Sequence, residues 1–500
     1  MDPKIINYLW SIRQIVLSCD KTELEIYRSF LDVGQRRNKP TSSSIMAFAI
    51  LKNPEISVEE LKLLVGDDTT DQAFYKSLTR VKEKLLESLI LDSNIRESDK
   101  QSDMFVNSVL SKKKMMQAVV LYSRGLENEG RRLLERLINQ GKKYELYDEL
   151  YEAIHWVRNE NGLRYGQKKY DRYTEELLSI RKCRDGLYEA RNLYYDYYLY
   201  SDRNGAVTEK QNRAEKTVSR LKAIVNATKS DRVRYFYFLM LSELYALNKD
   251  ARKTDKLASN LLSLLNNSPA LKIDLKMGVA HSDIADMMLS CGKWQEALSH
   301  AHRAKKYIEE DSYNFLVVED IQIRALLLTG DNVRAMQIAE KLNDKNNEHV
   351  SPLIQCKYDY YKACALFRSK KYGESIQILS GLNELKKDKY CWNVVIRILV
   401  ILNFIELRNY DVAENEIDSF RKYMKRVTKR KKVSPRYAAV AEMLLALRSN
   451  GWDFEKTASM NRASMLDLTS DSHDFRWDPK SPELIQFNEW FEGRSGHLLV

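Results

Sequence analysis

The feature that most constrains this chain is a turn that keeps returning. Leu289-Ser-Cys-Gly-Lys-Trp-Gln-Glu-Ala-Leu-Ser-His-Ala-His-Arg-Ala304 reads as the end of one helix, a glycine turn and a second helix. Equivalent turns fall near residues 292, 330, 370 and 408, at intervals of 38 to 40 residues. Each residue choice has a physical reason. Gly292 can take the positive φ of a tight turn, Trp294 fills the gap to the next unit, and Ala285, Ala297, Ala301 and Ala304 let two helices cross closely. Later units keep parts of the scheme: Gly330, Ala335 and Ala339; then Ala363, Tyr372 and Ser375; then Tyr410, Ala413 and Phe420. One more unit precedes, with a turn near Asn248, and one follows, with a turn near Gly451. A chain of this kind grows by stacking each hairpin on its neighbour.

Proline usage points the same way. No proline occurs between Pro54 and Pro269, which favours long helices over a turn-dense sheet protein. The fold class is therefore all-α. Ser268-Pro269, Ser351-Pro352 and Ser434-Pro435 fall 83 residues apart, and Ser followed by Pro suits a helix start because Pro has no amide to leave unpaired there. Ser481-Pro482 predicts a further helix start, with Leu484, Ile485, Phe487, Trp490 and Phe491 behind it.

The arrangement of Ala285, Gly292, Trp294, Ala297, Ala301 and Ala304 resembles the tetratricopeptide repeat, although the intervals exceed the unit of about 34 residues in that family. The resemblance covers residues 231–460 and extends more weakly over 115–230. It implies a right-handed α-α superhelix of helical hairpins that presents a groove to a protein or peptide, with no catalysis of its own and no cofactor. The Asn and Lys carboxylate clamp of some family members has no counterpart in this sequence.

Residues 1–100 read as a small helical domain with helices at 3–18, 21–35, 42–52, 58–65 and 72–91. Ser57 and Glu60 form a capping box, and Gly66 supplies a helix stop. Phe74, Leu78, Val81, Leu85 and Leu89 make one apolar stripe. The order of helices over 42–90 resembles the core of bacterial winged-helix regulators, a likeness that implies DNA contacts by Lys76, Arg80 and Lys84 on the last helix. The β-wing is missing, because Leu91-Asp-Ser-Asn-Ile-Arg-Glu-Ser-Asp99 is short and acidic. A helical cap and a DNA reader both fit this region. A linker over Asp92–Lys114 leads into residues 101–230, read as long-helix hairpins of decayed repeat signal, with Gly125 as a turn and Gly141 and Gly162 as breaks. The repeats then occupy 231–465, and residues 466–500 form a capping or docking segment.

Two clusters invite ligands. Tyr194, Tyr197 and Tyr198 share a helix face, with Tyr195 and Tyr200 beside them. They serve as interhelical packing, as a peptide-binding face or, with the basic and aromatic stretch 165–173, as a stacking surface for single-stranded nucleic acid. Arg421-Lys-Tyr-Met-Lys-Arg-Val-Thr-Lys-Arg-Lys-Lys-Val-Ser-Pro-Arg436 holds nine Lys or Arg in sixteen positions and no acid. Arg421, Lys425, Lys429, Arg430, Lys431 and Lys432 are candidates for anion binding, and a solvated helix end explains them equally. Trp490 and Phe491 either dock as the cap of an open repeat end or anchor a partner.

Catalytic and metal signatures are wanting. His300 and His302 lie two apart on a helix and point away from each other, so they cannot share an ion. No phosphate-binding glycine loop, H-E-x-x-H or G-x-S-x-G is present. The six cysteines contain no C-x-x-C pair, as expected of a reducing cytoplasm. The first nineteen residues lack the pattern of a signal peptide, and the apolar run Val394–Leu407 is interrupted by Arg397, Asn403 and Glu406. The net charge of +11 allows an anionic partner but is modest for the size. The leading expectation is a non-enzymatic cytoplasmic scaffold or adaptor that binds a protein or peptide and no membrane. A DNA-binding regulator with a repeat sensor is the first alternative, and a single-stranded nucleic-acid binder the second.

Overall fold

The computed structural model describes residues 3–19, 21–33, 41–66, 69–91, 103–203, 207–310, 312–343, 352–382, 388, 391–428, 433–470 and 475–495. Among them the chain is all-α, with 24 helices and no strand. It divides into two compact units, Met1–Arg124 and Gly125–Val500.

The first unit holds α1 (Pro3–Ser18), α2 (Lys21–Val33), α3 (Ser42–Lys52), α4 (Val58–Val65), α5 (Asp71–Leu91) and α6 (Asp103–Ser123). Its capping box forms as expected: the Ser57 hydroxyl accepts from the Glu60 amide at 3.1 Å, and the Glu60 carboxylate accepts from the Ser57 amide at 2.8 Å. Ile5, Leu9 and Ile12 of α1 meet Phe74, Leu78, Val81 and Leu85 of α5 in one buried core. The expected linker is shorter than its composition suggests, because α6 is already helical from Asp103. Val106, Ser111, Met115 and Ala118 are buried at helical spacing, a stripe that the Ser- and Lys-rich composition hides.

The second unit is a stack of hairpins. It runs α7 (Glu127–Tyr144) and α8 (Tyr147–Tyr165); α9 (Gln167–Arg203) and α10 (Val207–Thr228); α11 (Asp231–Asn248) and α12 (Ala251–Asn267); α13 (Asp274–Ser290) and α14 (Trp294–Ala304). It continues with α15 (Tyr313–Thr329) and α16 (Asn332–Asn343); α17 (Pro352–Arg368) and α18 (Tyr372–Ser380); α19 (Trp392–Glu406) and α20 (Tyr410–Thr428); α21 (Pro435–Ser449) and α22 (Phe454–Met460). The short helices α23 (Arg462–Thr469) and α24 (Phe487–Ser495) close it. The first helices α9, α11, α13, α15, α17 and α19 pack on one another in series, forming an inner row. This is an all-α superhelix of stacked hairpins.

The small residues do what the repeat pattern predicts. Ala285, Ala297, Ala301, Ala304, Ala335, Ala339, Ala363, Ser375 and Ala413 are all fully buried between helices. The turns share one device. In seven hairpins the residue after the turn donates its amide to the carbonyl five residues back, as in Leu146 to Gly141, Lys293 to Met288, Asp331 to Leu326, Lys371 to Leu366 and Asn409 to Phe404, each at 2.9 Å. The residue before that donor has positive φ in the first six, and in the seventh both Gly451 and the donor Trp452 do, which is the Schellman way of satisfying the last carbonyls of a helix. Gly292 and Gly330 fill this position at φ 78° and 84°, whereas Glu145, Lys249, Lys370 and Arg408 fill it with side chains at φ 50°, 49°, 61° and 56°.

Two expectations are corrected here. Gly141 and Gly162 are not breaks but lie inside α7 and α8. A methyl group on Gly141 would come within 2.7 Å of Leu150, and one on Gly162 within 2.7 Å of Tyr170, so these glycines allow helices to touch. The Ser-Pro marks also divide. Ser434-Pro435 begins α21 and α17 begins at Pro352, but Ser268 ends α12, with Pro269 in a turn before α13.

Candidate functional site

The most elaborate polar surface of the second unit is where the inner row meets residues 475–495. The expected helix at Ser481-Pro482 does not form, and the chain stays irregular until Phe487. The reason is that its polar groups find partners on the row. Lys249, at the end of α11, donates to the Trp477 carbonyl at 2.7 Å. Arg324 of α15 donates to the carbonyls of Pro479 and Ser481 at 3.1 and 2.9 Å, and Arg368 of α17 donates to that of Leu484 at 3.0 Å. Glu406 of α19 accepts from the Trp490 indole at 2.7 Å and from Arg494.

Arg436 of α21 fixes the segment most firmly. Its guanidinium makes a two-point contact with Glu483 at 2.6 and 2.9 Å, and donates to the carbonyls of Leu468 and Phe475 and to Asn488. Arg436 and Glu483 are 4% and 3% exposed. Such a pair is desolvated, so its value depends on every donor being used. Here each guanidinium nitrogen has an acceptor. Glu483 in turn accepts the Phe487 amide at 3.0 Å, which starts α24 in place of the expected Ser-Pro cap.

Between these anchors the segment makes a β-turn. The Ser481 amide donates to the Asp478 carbonyl at 2.9 Å, and the Asp478 side chain accepts the Lys480 amide at 2.9 Å. Asp, then Pro in the second position, is a favoured start for such a turn. Lys480 stands at its third position and reaches Asp286 of α13 at 2.5 Å and Glu243 of α11 at 3.7 Å. Burial alone would lower the Lys480 ammonium, but the two carboxylates outweigh it and hold its pKa above the ordinary value. A third carboxyl, the half-buried Asp283, lies one helical turn before Asp286 with one buried oxygen lacking a hydrogen bond. Burial, then Asp286 and Glu243, push it up to about 7. Next along the row, Asp320 receives Arg324, Lys357 and Tyr361 at 3.1, 2.6 and 2.5 Å. Burial opposes its charge, yet the two cations and the Lys357 and Tyr361 hydrogen bonds hold it at about 2. A cavity of about 590 Å³ lies along the turn, lined among others by Tyr313, Leu353, Ile354, Lys357, Trp392 and Trp477.

The residues singled out in the sequence fall in different places. Tyr197 is buried and donates to Glu243 at 3.2 Å, while Tyr194 packs against Tyr198 and Phe236 with ring centres at 4.8 and 5.4 Å. Because Glu243 also meets Lys480, the Tyr197 hydrogen bond sets the tyrosine cluster at the border of the acidic pocket of Lys480. Phe491 is fully buried, and half-buried Trp490 packs on Phe454 and Phe487. Arg421 and Lys425 are exposed on α20; Lys429, Arg430, Lys431 and Lys432 lie outside the described residues. Lys76 and Arg80 are exposed on α5, and Lys84 is half-buried there. His300 pairs with His281 of α13 at 3.0 Å rather than with His302. Among the described residues no group of three or more His, Cys, Asp or Glu could hold a metal, and no helix is long and apolar enough to cross a membrane. Sequence reading missed Arg324, Arg436, Lys480 and Asp283, because each is a single charge that no local pattern marks as paired. No protein-family model matches the chain, and no curated protein is similar enough to count as a relative.

Proposed function

We propose that the protein is a non-enzymatic, tetratricopeptide-like scaffold or adaptor that binds a protein or peptide on the inner row of its second unit. The observation that carries this reading is the series of side chains on or at the ends of six successive first helices, α11 to α21, that hold the terminal segment: Lys249, Arg324 and Arg368 by its carbonyls, Asp286 by Lys480, Glu406 by Trp490 and Arg436 by Glu483. Reading main-chain carbonyls gives affinity, and a pocket for one side chain gives specificity. The neighbouring cavity offers Tyr313, 62% exposed, as a contact for incoming apolar groups. The test is selection of a displayed peptide library on the full chain. Enriched peptides that lose at least ten-fold in affinity with Tyr313→Ala, at unchanged melting temperature, support the reading. No enrichment, or enrichment indifferent to inner-row substitutions, contradicts it.

A second reading rests on α5. Lys76, Arg80 and Lys84 follow one another at four-residue steps and make no salt bridge among the described residues, the pattern of a phosphate-contacting stripe. In this reading the first unit binds DNA and the hairpin stack senses a partner. A gel shift that weakens steeply with salt, and is lost when all three become Ala, supports it; no shift at low salt excludes it.

A further inference from the structure

We propose that the inner row recognises a proline-initiated turn of a partner protein with a lysine at its tip, and that residues 475–482 occupy this site as an internal competitor. The inference rests on the peptide-binding reading above and names the ligand class. Its basis is a division among the contacts. Those from Lys249 and Arg324 go to main-chain carbonyls at Trp477, Pro479 and Ser481, which any turn of the same shape provides. The groups aimed at the turn's main chain are all donors, so residues without an amide proton suit it. Prolines stand at 479 and 482.

One contact depends on side-chain identity. Lys480 enters a pocket bounded by Glu243 and Asp286, and half-buried Asp283, three residues before Asp286 on α13, holds one buried oxygen without a hydrogen-bond partner. Two carboxylates thus flank a single ammonium, with the Asp283 carboxyl one helical turn before Asp286 on the same helix, more acid than one lysine needs. A neutral tip would leave the half-buried Asp286 carboxylate without its cation, and an acidic tip would set like charges against Asp286 and Glu243, at a cost that rejects it. The cavity of about 590 Å³ beside the turn shows that the segment leaves part of the groove unfilled. The anchors beyond residue 482, Arg436 with Glu483 and the buried Phe487 and Phe491, do not belong to the turn. They can hold α24 in place while the turn leaves.

The test uses the full chain and a fluorescein-labelled peptide of the sequence Phe-Arg-Trp-Asp-Pro-Lys-Ser-Pro-Glu-Leu-Ile-Gln. An occupied site lowers apparent affinity by the fraction of time it is free. Anisotropy should therefore show Lys480→Ala protein binding this peptide at least about ten-fold tighter than wild type. The same peptide with its lysine changed to glutamate should not bind. Because Lys480→Ala leaves acids unpaired, wild-type protein provides the second measurement. Saturating peptide should speed hydrogen exchange of amides within 475–482 while those of Phe487 and Trp490 stay protected. Equal affinity of the variant and wild type, or equal binding of both peptides, overturns the proposal. If library peptides still bind through Tyr313 in that case, the adaptor reading survives. If neither these nor the labelled peptide bind, both fail.

Discussion

The hairpin α13–α14 and the terminal segment 475–495 touch the same row of helices, yet they are specified in opposite ways. In the hairpin every decisive residue acts on near neighbours: Gly292 takes positive φ, Lys293 returns its amide to Met288, and Ala297, Ala301 and Ala304 vanish into the crossing. In the terminal segment the decisive partners are remote. Arg436 holds Glu483, Arg324 holds Pro479 and Ser481, and Asp286 holds Lys480. Local specification leaves a periodic trace in sequence, whereas remote specification leaves single charges among many. A stack can tolerate drift in one hairpin, but the segment depends on a few groups at once.

That contrast is sharpest at Arg436. Arg436→Ala removes five hydrogen bonds and strands buried Glu483, and the expected loss is about 3 to 5 kcal/mol. Chemical denaturation reads the loss, and limited proteolysis should place early cleavage after residue 470. Pairing it with Glu483→Gln should recover part of the stability. If Arg436→Ala costs no more than an exposed substitution such as Arg421→Ala, the segment is not held as described.

The hairpin side of the comparison is tested by volume. Ala301→Leu overfills the α13–α14 crossing and should cost about 1 to 3 kcal/mol without altering cleavage of the terminal segment. A linked loss at both places would mean that the two regions do not respond independently.

The pocket of Lys480 adds a pH signature. Asp283 has its folded pKa pushed to about 7, so the folded state keeps a proton that the unfolded chain releases above about pH 4. Stability supplied by that proton is present at low pH and is lost as pH rises through about 7. Asp283→Asn should flatten the decline, which amounts to about 1 to 2 kcal/mol after allowance for relaxation. Melting temperatures from pH 5 to 8 decide it, and an unchanged slope in the variant removes Asp283 as the source.

The smallest effect concerns turns that hide from sequence. Lys370→Gly, at φ 61°, should stabilise by about 0.5 to 1 kcal/mol if relief of strain outweighs the added freedom of the unfolded chain. Gly330→Ala, at φ 84°, should destabilise by about 1 kcal/mol for the reverse reason.

These positions explain what could be read in advance. The first five helices, α1 to α5, the capping box of Ser57 and the small residues of the crossings were legible, because each follows from a local rule, whereas most of α6 read as a linker. Lys249, Lys370 and Arg408 carry the same turn as Gly292 without its marker, so the spacing was visible and the device was not. Gly141 and Gly162 mislead as breaks because a glycine that admits a neighbouring side chain looks, in sequence, like one that ends a helix. Ser481-Pro482 misleads because tertiary donors claim the carbonyls that a helix would use. Of the site, the tyrosines at 194, 197 and 198 were visible as a cluster, but the acids they border come from α11 and α13, and the lysine from the far end of the chain.

The most direct measurement is hydrogen exchange of the full chain, resolved over 475–495 and over α15. If the segment is held on the inner row by side chains from six hairpins, the amides of Ser481, Phe487 and Trp490 exchange far more slowly than an open chain, and Arg436→Ala releases them while α15 stays protected. Exchange of these amides at open-chain rates in the wild-type protein would contradict the account.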